Sequence, residues 1–209
     1  MPHKNQDLHG NAPDKSSVAL LLIDVISDFD FDKGDELLKN ALPAARALAE
    51  LKKKAKRAKI PVIYVNDNFG RWQSDFKNLL EHCLSAKGCE IARLLKPDDD
   101  DYFVLKPKHS GFYSTTLDLL LEYLKAKTLI LTGVTTDICI LFTANDAYMR
   151  DFDLIVPRDC VAAVDPKENE HALDYIARIL KADTRPSTEI DLEELKKEKF
   201  EEKLFSIDE

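Results

Sequence analysis

The chain has 209 residues, a formal net charge of −8, and 44% hydrophobic and 33% charged residues. That length suits one domain with a sizeable core plus some appended material, and the composition is that of a soluble globular protein. The acidic balance argues against a nucleic-acid partner, no apolar run approaches the ~20 residues that span a bilayer, and the polar N-terminus does not read as a secretory signal, so a cytoplasmic protein with no membrane partner is expected.

Residues 1–17 read as a disordered polar arm. Val18 to Val25 is a continuous apolar run broken only by Asp24, which predicts a strand buried on both faces. An acidic loop, Asp28 to Gly34, precedes an amphipathic helix from about Leu37 to Ala58. On it Ala44, Leu48, Leu51, Ala55 and Ala58 form one apolar stripe. Lys52, Lys53, Lys54, Lys56, Arg57 and Lys59 fall around the remaining circumference and read as a solvated face. Pro61 to Asn66 predicts the second strand, Phe76 to Leu84 a helix, and Ser85 to Lys96 a weaker helical pattern.

Tyr102 to Leu105 predicts a third strand, closed by Lys106 because a residue before proline is pushed to extended geometry. Thr115 to Lys125 predicts a helix with Ser114 or Thr115 as its N-cap. Strand Thr128 to Gly133, helix Ile140 to Met149, strand Asp153 to Pro157 and helix Lys167 to Ala182 follow, with a short extended piece near Arg185 to Ile190. Glu193 to Phe205 reads as a charged amphipathic helix appended to the core. The chain therefore divides into an arm (1–17), one domain (18–190) and a C-terminal helix (191–209).

Strands alternating with helices mean βαβ units. The expected fold is α/β: three α/β/α layers, Rossmann-like, around a mostly parallel sheet of five to six strands. No glycine-rich phosphate motif follows any strand, so a dinucleotide or P-loop site is not expected. The four cysteines, Cys83, Cys89, Cys139 and Cys160, match no zinc spacing and read as free thiols.

In an open parallel sheet, ligands bind beyond the carboxyl ends of the strands. Three such ends deliver Asp24, Lys106 and Cys139, the last at the start of the predicted helix after Gly133-Val134-Thr135-Thr136. A helix N-terminus and a nearby ammonium both favour thiolate, and unpaired backbone N–H groups there can hold an oxyanion. Asp24 could take the thiol proton. Each residue also has a plain alternative: Cys139 as a buried hydrophobe, Asp24 as a ligand of loop amides, Lys106 as an edge residue.

The segments Leu22-Ile23-Asp24, Leu105-Lys106-Pro107-Lys108-His109-Ser110-Gly111-Phe112, Gly133 to Ile140 continuing through Thr143 to Ala147, and Arg158 to Ala163 carry a family likeness. Over residues 17–185 the chain resembles the isochorismatase-like cysteine hydrolases, the group that includes nicotinamidases and N-carbamoylsarcosine amidase. The resemblance implies a catalytic triad of Asp24 (base), Lys106 (electrostatic partner) and Cys139 (nucleophile). It selects Lys106 over Lys108 because the family lysine precedes its serine, here Ser110, by four positions. It also implies a non-proline cis peptide at Val134–Thr135, an oxyanion hole from the Thr135 and Cys139 backbone, and a homo-oligomer, dimer or tetramer.

Two departures stand out. Ile26 occupies a position where many relatives have glutamine, and the nicotinamidase metal histidines are missing after the second strand, so no metal and no other cofactor is expected. His109 reads as a loop residue and His171 as a helix residue. Pocket walls for a small-molecule substrate are expected from Phe29, Asn66, Asp67, Arg71, Trp72, Phe112, Thr136 and Phe142, with Arg71 able to greet a carboxylate. The expected activity is hydrolysis of a C–N bond in a small amide, ureide or carbamoyl compound through a thioester. The alternatives are vinyl ether cleavage of the isochorismatase type and a non-catalytic redox-sensing or interaction protein.

Overall fold

The computed structural model describes residues 15–67 and 75–196. Six parallel strands form one sheet in the order β3-β2-β1-β4-β5, with β6 pairing β4 beyond β5's register. They are β1 (Val18–Ile23), β2 (Val62–Asp67), β3 (Tyr102–Lys106), β4 (Thr128–Val134), β5 (Asp153–Ile155) and β6 (Val161–Ala162). The α/β fold with its mostly parallel sheet is the expected one. β6 was not anticipated, since a two-residue strand leaves no alternation to read.

The chain builds outward from β1 in both directions, so β1 lies at the point where strand order reverses. All six β1 residues are fully buried, and they alternate between two cores. Val18, Leu20 and Leu22 pack with α1 (Gly34–Arg57), α2 (Phe76–Cys83) and α3 (Cys89–Leu94). Ala19, Leu21 and Ile23 pack with α4 (Leu117–Leu124), α5 (Leu141–Tyr148) and α6 (Pro166–Ile179). The period of two in side-chain direction thus gives the central strand an apolar partner on each face.

Several local expectations are corrected. Lys52 is buried and Lys56 half-buried, and both are ion-paired to the acidic loop before β3, Lys52 to Asp98 and Asp101 and Lys56 to Asp100 and Asp101. They are not part of a solvated face, because carboxylates 42 or more positions away fold over that side of α1. The helix expected from Ile140 starts with a π-helical turn, Thr136–Ile140, closed by the Ile140 N–H on the Thr135 carbonyl at 3.0 Å. Ahead of α4, Thr116 caps without its side chain, while Thr115 Oγ1 accepts from the Leu117 N–H. The piece expected to be extended near 185–190 is a 3₁₀ turn, Ser187–Glu189. Ser16, placed in the polar arm from sequence, is buried, and its N–H donates to the Leu124 carbonyl. Residues 1–14 and most of the appended C-terminal helix lie outside the described residues. Among the described residues no helix is long and apolar enough to cross a membrane.

Candidate active site

Asp24 follows β1 directly, Asp67 ends β2 and Lys106 ends β3, so three charged side chains leave the same carboxyl edge of the sheet. Asp24 takes a left-handed conformation (φ 51) while its N–H still donates to the Val65 carbonyl, which carries β1 pairing one residue past the strand. Beside it, β4 approaches β1 through Gly133, at φ 110, where an added Cβ would sit 2.0 Å from the Ile23 carbonyl oxygen. Only glycine fits there. The next peptide, Val134–Thr135, is cis, and the π-helical turn then presents Cys139.

The side chains converge on one ammonium. Lys106 Nζ lies 2.8 Å from Asp24 Oδ2, and 3.6 Å from both Asp67 Oδ2 and Cys139 Sγ. Asp24 Oδ1 accepts from the Asp67 N–H at 2.7 Å, and the Asp24 carboxyl also hydrogen-bonds the Cys139 thiol. β3 and β4 are three places apart in the sheet, about 14 Å at the usual strand spacing. The wholly buried lysine stem spans part of that distance, and Cys139, five residues past the end of β4, meets it from the other side.

Burial pushes the Asp24 carboxyl up, outweighing the Lys106 ammonium and the hydrogen bonds that pull it down. Burial also opposes the charge on Lys106, but the Asp24, Cys139 and Asp67 groups around it hold the ammonium above its ordinary range. The Cys139 thiol is pushed up to about 12, first by burial and next by the Asp24 carboxylate, with Lys106 acting the other way. The expectation of a lowered thiol is therefore overturned for the resting site. Desolvation and a neighbouring negative charge both favour the neutral thiol, and one ammonium at 3.6 Å does not offset them.

The residues expected to wall a pocket divide sharply. Asp67 joins the charged cluster. Asn66 is buried and brackets Ile26, accepting its N–H at Oδ1 (3.2 Å) and donating to its carbonyl (2.9 Å). Ile26, in the position that departs from the family pattern, is itself in the α1-side core. Thr136 is buried and donates to Asn169 Oδ1 on α6 at 2.6 Å. Phe29 is packed in the α1-side core, and Phe112 in the opposite one beneath the Arg150 guanidinium at 4.6 Å. Both rings are buried, Phe29 at 1% and Phe112 at 5% exposure, so each contributes to a core behind its loop. Phe142 is exposed and tilts against His109. Arg71 and Trp72 lie outside the described residues.

A brace behind Cys139 was not foreseen from the sequence. Thr143 Oγ1 donates to the Cys139 carbonyl (2.7 Å) and accepts from the Gly111 N–H (3.0 Å). Ser110 Oγ donates to Asp146 Oδ2 on the same helix, and Arg150 holds the other Asp146 oxygen at 3.1 Å. The loop after Lys106 is thereby fastened to the helix after Cys139. One signal was present: a hydroxyl four residues after Cys139 on a helix bonds back to the i−4 carbonyl.

Among the described residues, the cluster offers a metal the Asp24 and Asp67 carboxylates and the Cys139 sulfur, and the Lys106 ammonium already sits against all three. Among the described residues no imidazole joins the cluster: His82 pairs with Asp28, His109 with Phe142, and His171 with Glu168. Carboxylates wrapped around an ammonium do not fit a zinc-type site. Asp98, Asp100 and Asp101 come together elsewhere, but as the partners of Lys52 and Lys56. None of the four cysteines is in a disulfide, and Cys160 belongs to the α1-side core while Cys139 packs toward the other.

Known proteins share this arrangement of strands and helices. The Isochorismatase domain family matches residues 18–184. The uncharacterized isochorismatase family protein YaaI of Bacillus subtilis is 40% identical over 176 residues, which cover 84% of this chain and 97% of that one. The ureidoacrylate amidohydrolase RutB of Methylorubrum extorquens is 38% identical over 86 residues, 40% of this chain and 35% of that protein. Among solved structures, the N-carbamoylsarcosine amidase of Thermoplasma acidophilum superposes with a TM-score of 0.65 at 28% identity, covering 84% of this chain and 99% of that chain. The nicotinamidase SaPncA of Staphylococcus aureus gives 0.63 at 25% identity, with 81% and 99% covered. The chain belongs to the isochorismatase family, a hydrolase related in sequence and fold to amidases.

Proposed function

We propose that the protein is a cysteine amidohydrolase that cleaves a C–N bond of a small amide, ureide or carbamoyl compound. The reading rests on one observation: a buried lysine ammonium in contact with both a carboxylate and a thiol. With the thiol pushed up to about 12, the nucleophile forms during attack and is not stored as thiolate. The Sγ proton moves to Asp24, whose own raised affinity for protons suits it to receive one. Sγ bonds to the substrate carbonyl carbon, and the backbone N–H groups of Thr135 and Cys139 take up the oxyanion charge. The C–N bond then breaks, and the proton on Asp24 passes to the departing nitrogen as ammonia or amine. Water adds to the thioester, giving one proton to Asp24. That proton returns to Sγ as the acid leaves. Lys106 stays charged throughout and steadies Asp24 while its charge changes. The same reading carries a small-molecule substrate, a homo-oligomer and a cytoplasmic setting, where free thiols stay reduced.

Ammonia release from a panel of small amides and ureides, by the native chain and by Cys139→Ala, tests it. Turnover that vanishes in the variant supports the thioester route. Cleavage of a vinyl ether substrate that survives Cys139→Ala would replace it with acid catalysis by Asp24, and turnover of no amide at any Cys139 state would overturn it.

A further inference from the structure

Thr136 was expected to wall a pocket, yet it is 0% exposed and offers no surface to a bound molecule. Its hydroxyl donates instead to Asn169 Oδ1 at 2.6 Å, tying the π-helical turn to the first turn of α6. Asn169 precedes Ala172, Leu173 and Ile176 by three, four and seven positions, so it shares the face of α6 that enters the core. Its own backbone is fixed, since its N–H donates to the carbonyl of Asp165, the residue that caps α6. Thr135 thus stands between two anchors: Val134 is in register with Ala162 of β6, and Thr136 is held by α6. β6 and α6 adjoin in the chain, so one short segment, 161–169, holds both flanks. Thr135 adds no anchor through its own side chain, because its buried Oγ1 has no hydrogen-bond partner among the described residues.

We propose that Asn169 is a positioning residue for the reaction: through Thr136 it holds the Thr135 N–H where the oxyanion charge develops. This rests on the reading of Cys139 as the nucleophile. The Thr135 carbonyl is engaged from within the turn, by the Ile138 and Ile140 N–H groups at 3.3 and 3.0 Å. Those bonds shape the turn but do not tie it to the rest of the molecule. The Thr136–Asn169 bond does, and a donor misplaced by a fraction of an ångström stabilises a developing charge less.

Two reagents separate this role from packing. The ester p-nitrophenyl acetate acylates a thiol through a tetrahedral oxyanion. Sγ bonds to the carbonyl carbon, the bond to p-nitrophenolate breaks, and the thiol proton is released. Iodoacetamide alkylates the same sulfur without an oxyanion: Sγ bonds to the methylene carbon, iodide leaves and the thiol proton is released. The part of p-nitrophenolate release that Cys139→Ala abolishes reads the first reaction, and peptide mass at Cys139 reads the second. In Asn169→Ala and in Thr136→Val, acylation is expected to fall about 10–100-fold while alkylation stays within about twofold. Thr136→Ser, which keeps the hydroxyl, should restore acylation. The two variants break one bond from opposite ends, so either serves if the other fails to fold, and combining them should add little further loss. Acylation unchanged in both variants, or acylation and alkylation falling together, would overturn the proposal. Those results leave the amidohydrolase reading standing, since ammonia release decides that separately. Release of p-nitrophenolate that Cys139→Ala leaves untouched would overturn the proposal and the reading of Cys139 together.

Discussion

Two buried lysines sit near opposite ends of β3 with different surroundings: Lys52 pairs with Asp101 just before the strand, and Lys106 closes it. Lys52, on α1, reaches Asp101 Oδ2 at 2.8 Å, Asp98 Oδ2 at 3.0 Å and the Lys96 carbonyl at 3.0 Å, above the Tyr64 ring. An ammonium has three donors, and here three oxygens take them. Lys106 has one close oxygen on Asp24, a more distant one on Asp67, and a thiol sulfur at 3.6 Å. The first ion is saturated and acts as a clamp between α1 and the loop before β3. The second has, among the described residues, one close oxygen, and it borders a group that can change its charge. Burial and ion pairing are common to both; what separates a chemical site from a structural one is the partner left weakly bound.

Breaking each cluster in turn should separate activity from stability. Lys106→Met is expected to lower kcat/KM by about 10³-fold or more, as is Cys139→Ala, because members of one catalytic unit fail together. Steady-state ammonia release checks this, and a Lys106→Met enzyme within tenfold of native would demote Lys106 to a structural ion. Lys52→Met should do the reverse. It removes one of the two ammonium partners of the buried Asp101 carboxylate, which Lys56 still holds at 2.8 Å, at a cost of about 1.5–3 kcal/mol, yet kcat/KM measured well below Tm should stay within a factor of about two. Urea denaturation gives the first quantity, and a large loss of turnover in the folded variant would erase the distinction.

The brace behind Cys139 offers a finer test. Thr143→Val leaves the buried Gly111 N–H without its acceptor, which costs about 1–3 kcal/mol. If the hydroxyl also positions the nucleophile, kcat should fall more than KM rises, and Thr143→Ser should restore both. Equal recovery of stability without recovery of kcat in the serine variant would limit Thr143 to packing.

A smaller effect lies in alkaline pH. The Cys139 and Cys160 thiols are both pushed up to about 12, mainly by burial. In the unfolded chain a thiol loses its proton near 8.5. The folded state therefore keeps protons that the unfolded state has released, so this contribution is full below about pH 8.5 and is lost as pH rises toward 12. Each thiol should add up to roughly 1.4 kcal/mol per pH unit to that loss. Chemical denaturation at several alkaline pH values, in the native chain and in Cys160→Ala, measures the slope; an unchanged slope in the variant would show that Cys160 does not contribute.

The main strands were legible because each is a short apolar run bounded by a turn residue or proline, and period counting reads such runs directly. The ends were less so. β4 runs through Val134 because Gly133 lets two backbones nearly touch, a property of the β1–β4 contact and not of the local sequence. At the site, Asp24, Lys106 and Cys139 could be named from strand ends and from the family likeness, since those positions share one sheet edge in any fold of this type. Phe29 and Phe112 could not be assigned, because an aromatic beside a loop looks the same whether it faces a cleft or the core.

Residue order alone determined the α/β alternation, the burial of β1 on both faces and the three side chains at the carboxyl edge, since these follow from periodicity and strand ends. Only the tertiary structure decided which charges are hidden. Lys52 is buried by carboxylates near residue 100, and Asp67 becomes the exposed member of a cluster whose other charges come from positions 24 and 106. Those distances along the chain lie beyond any local pattern, and desolvation, which sets the protonation of the thiol, exists only once the layers have closed over it.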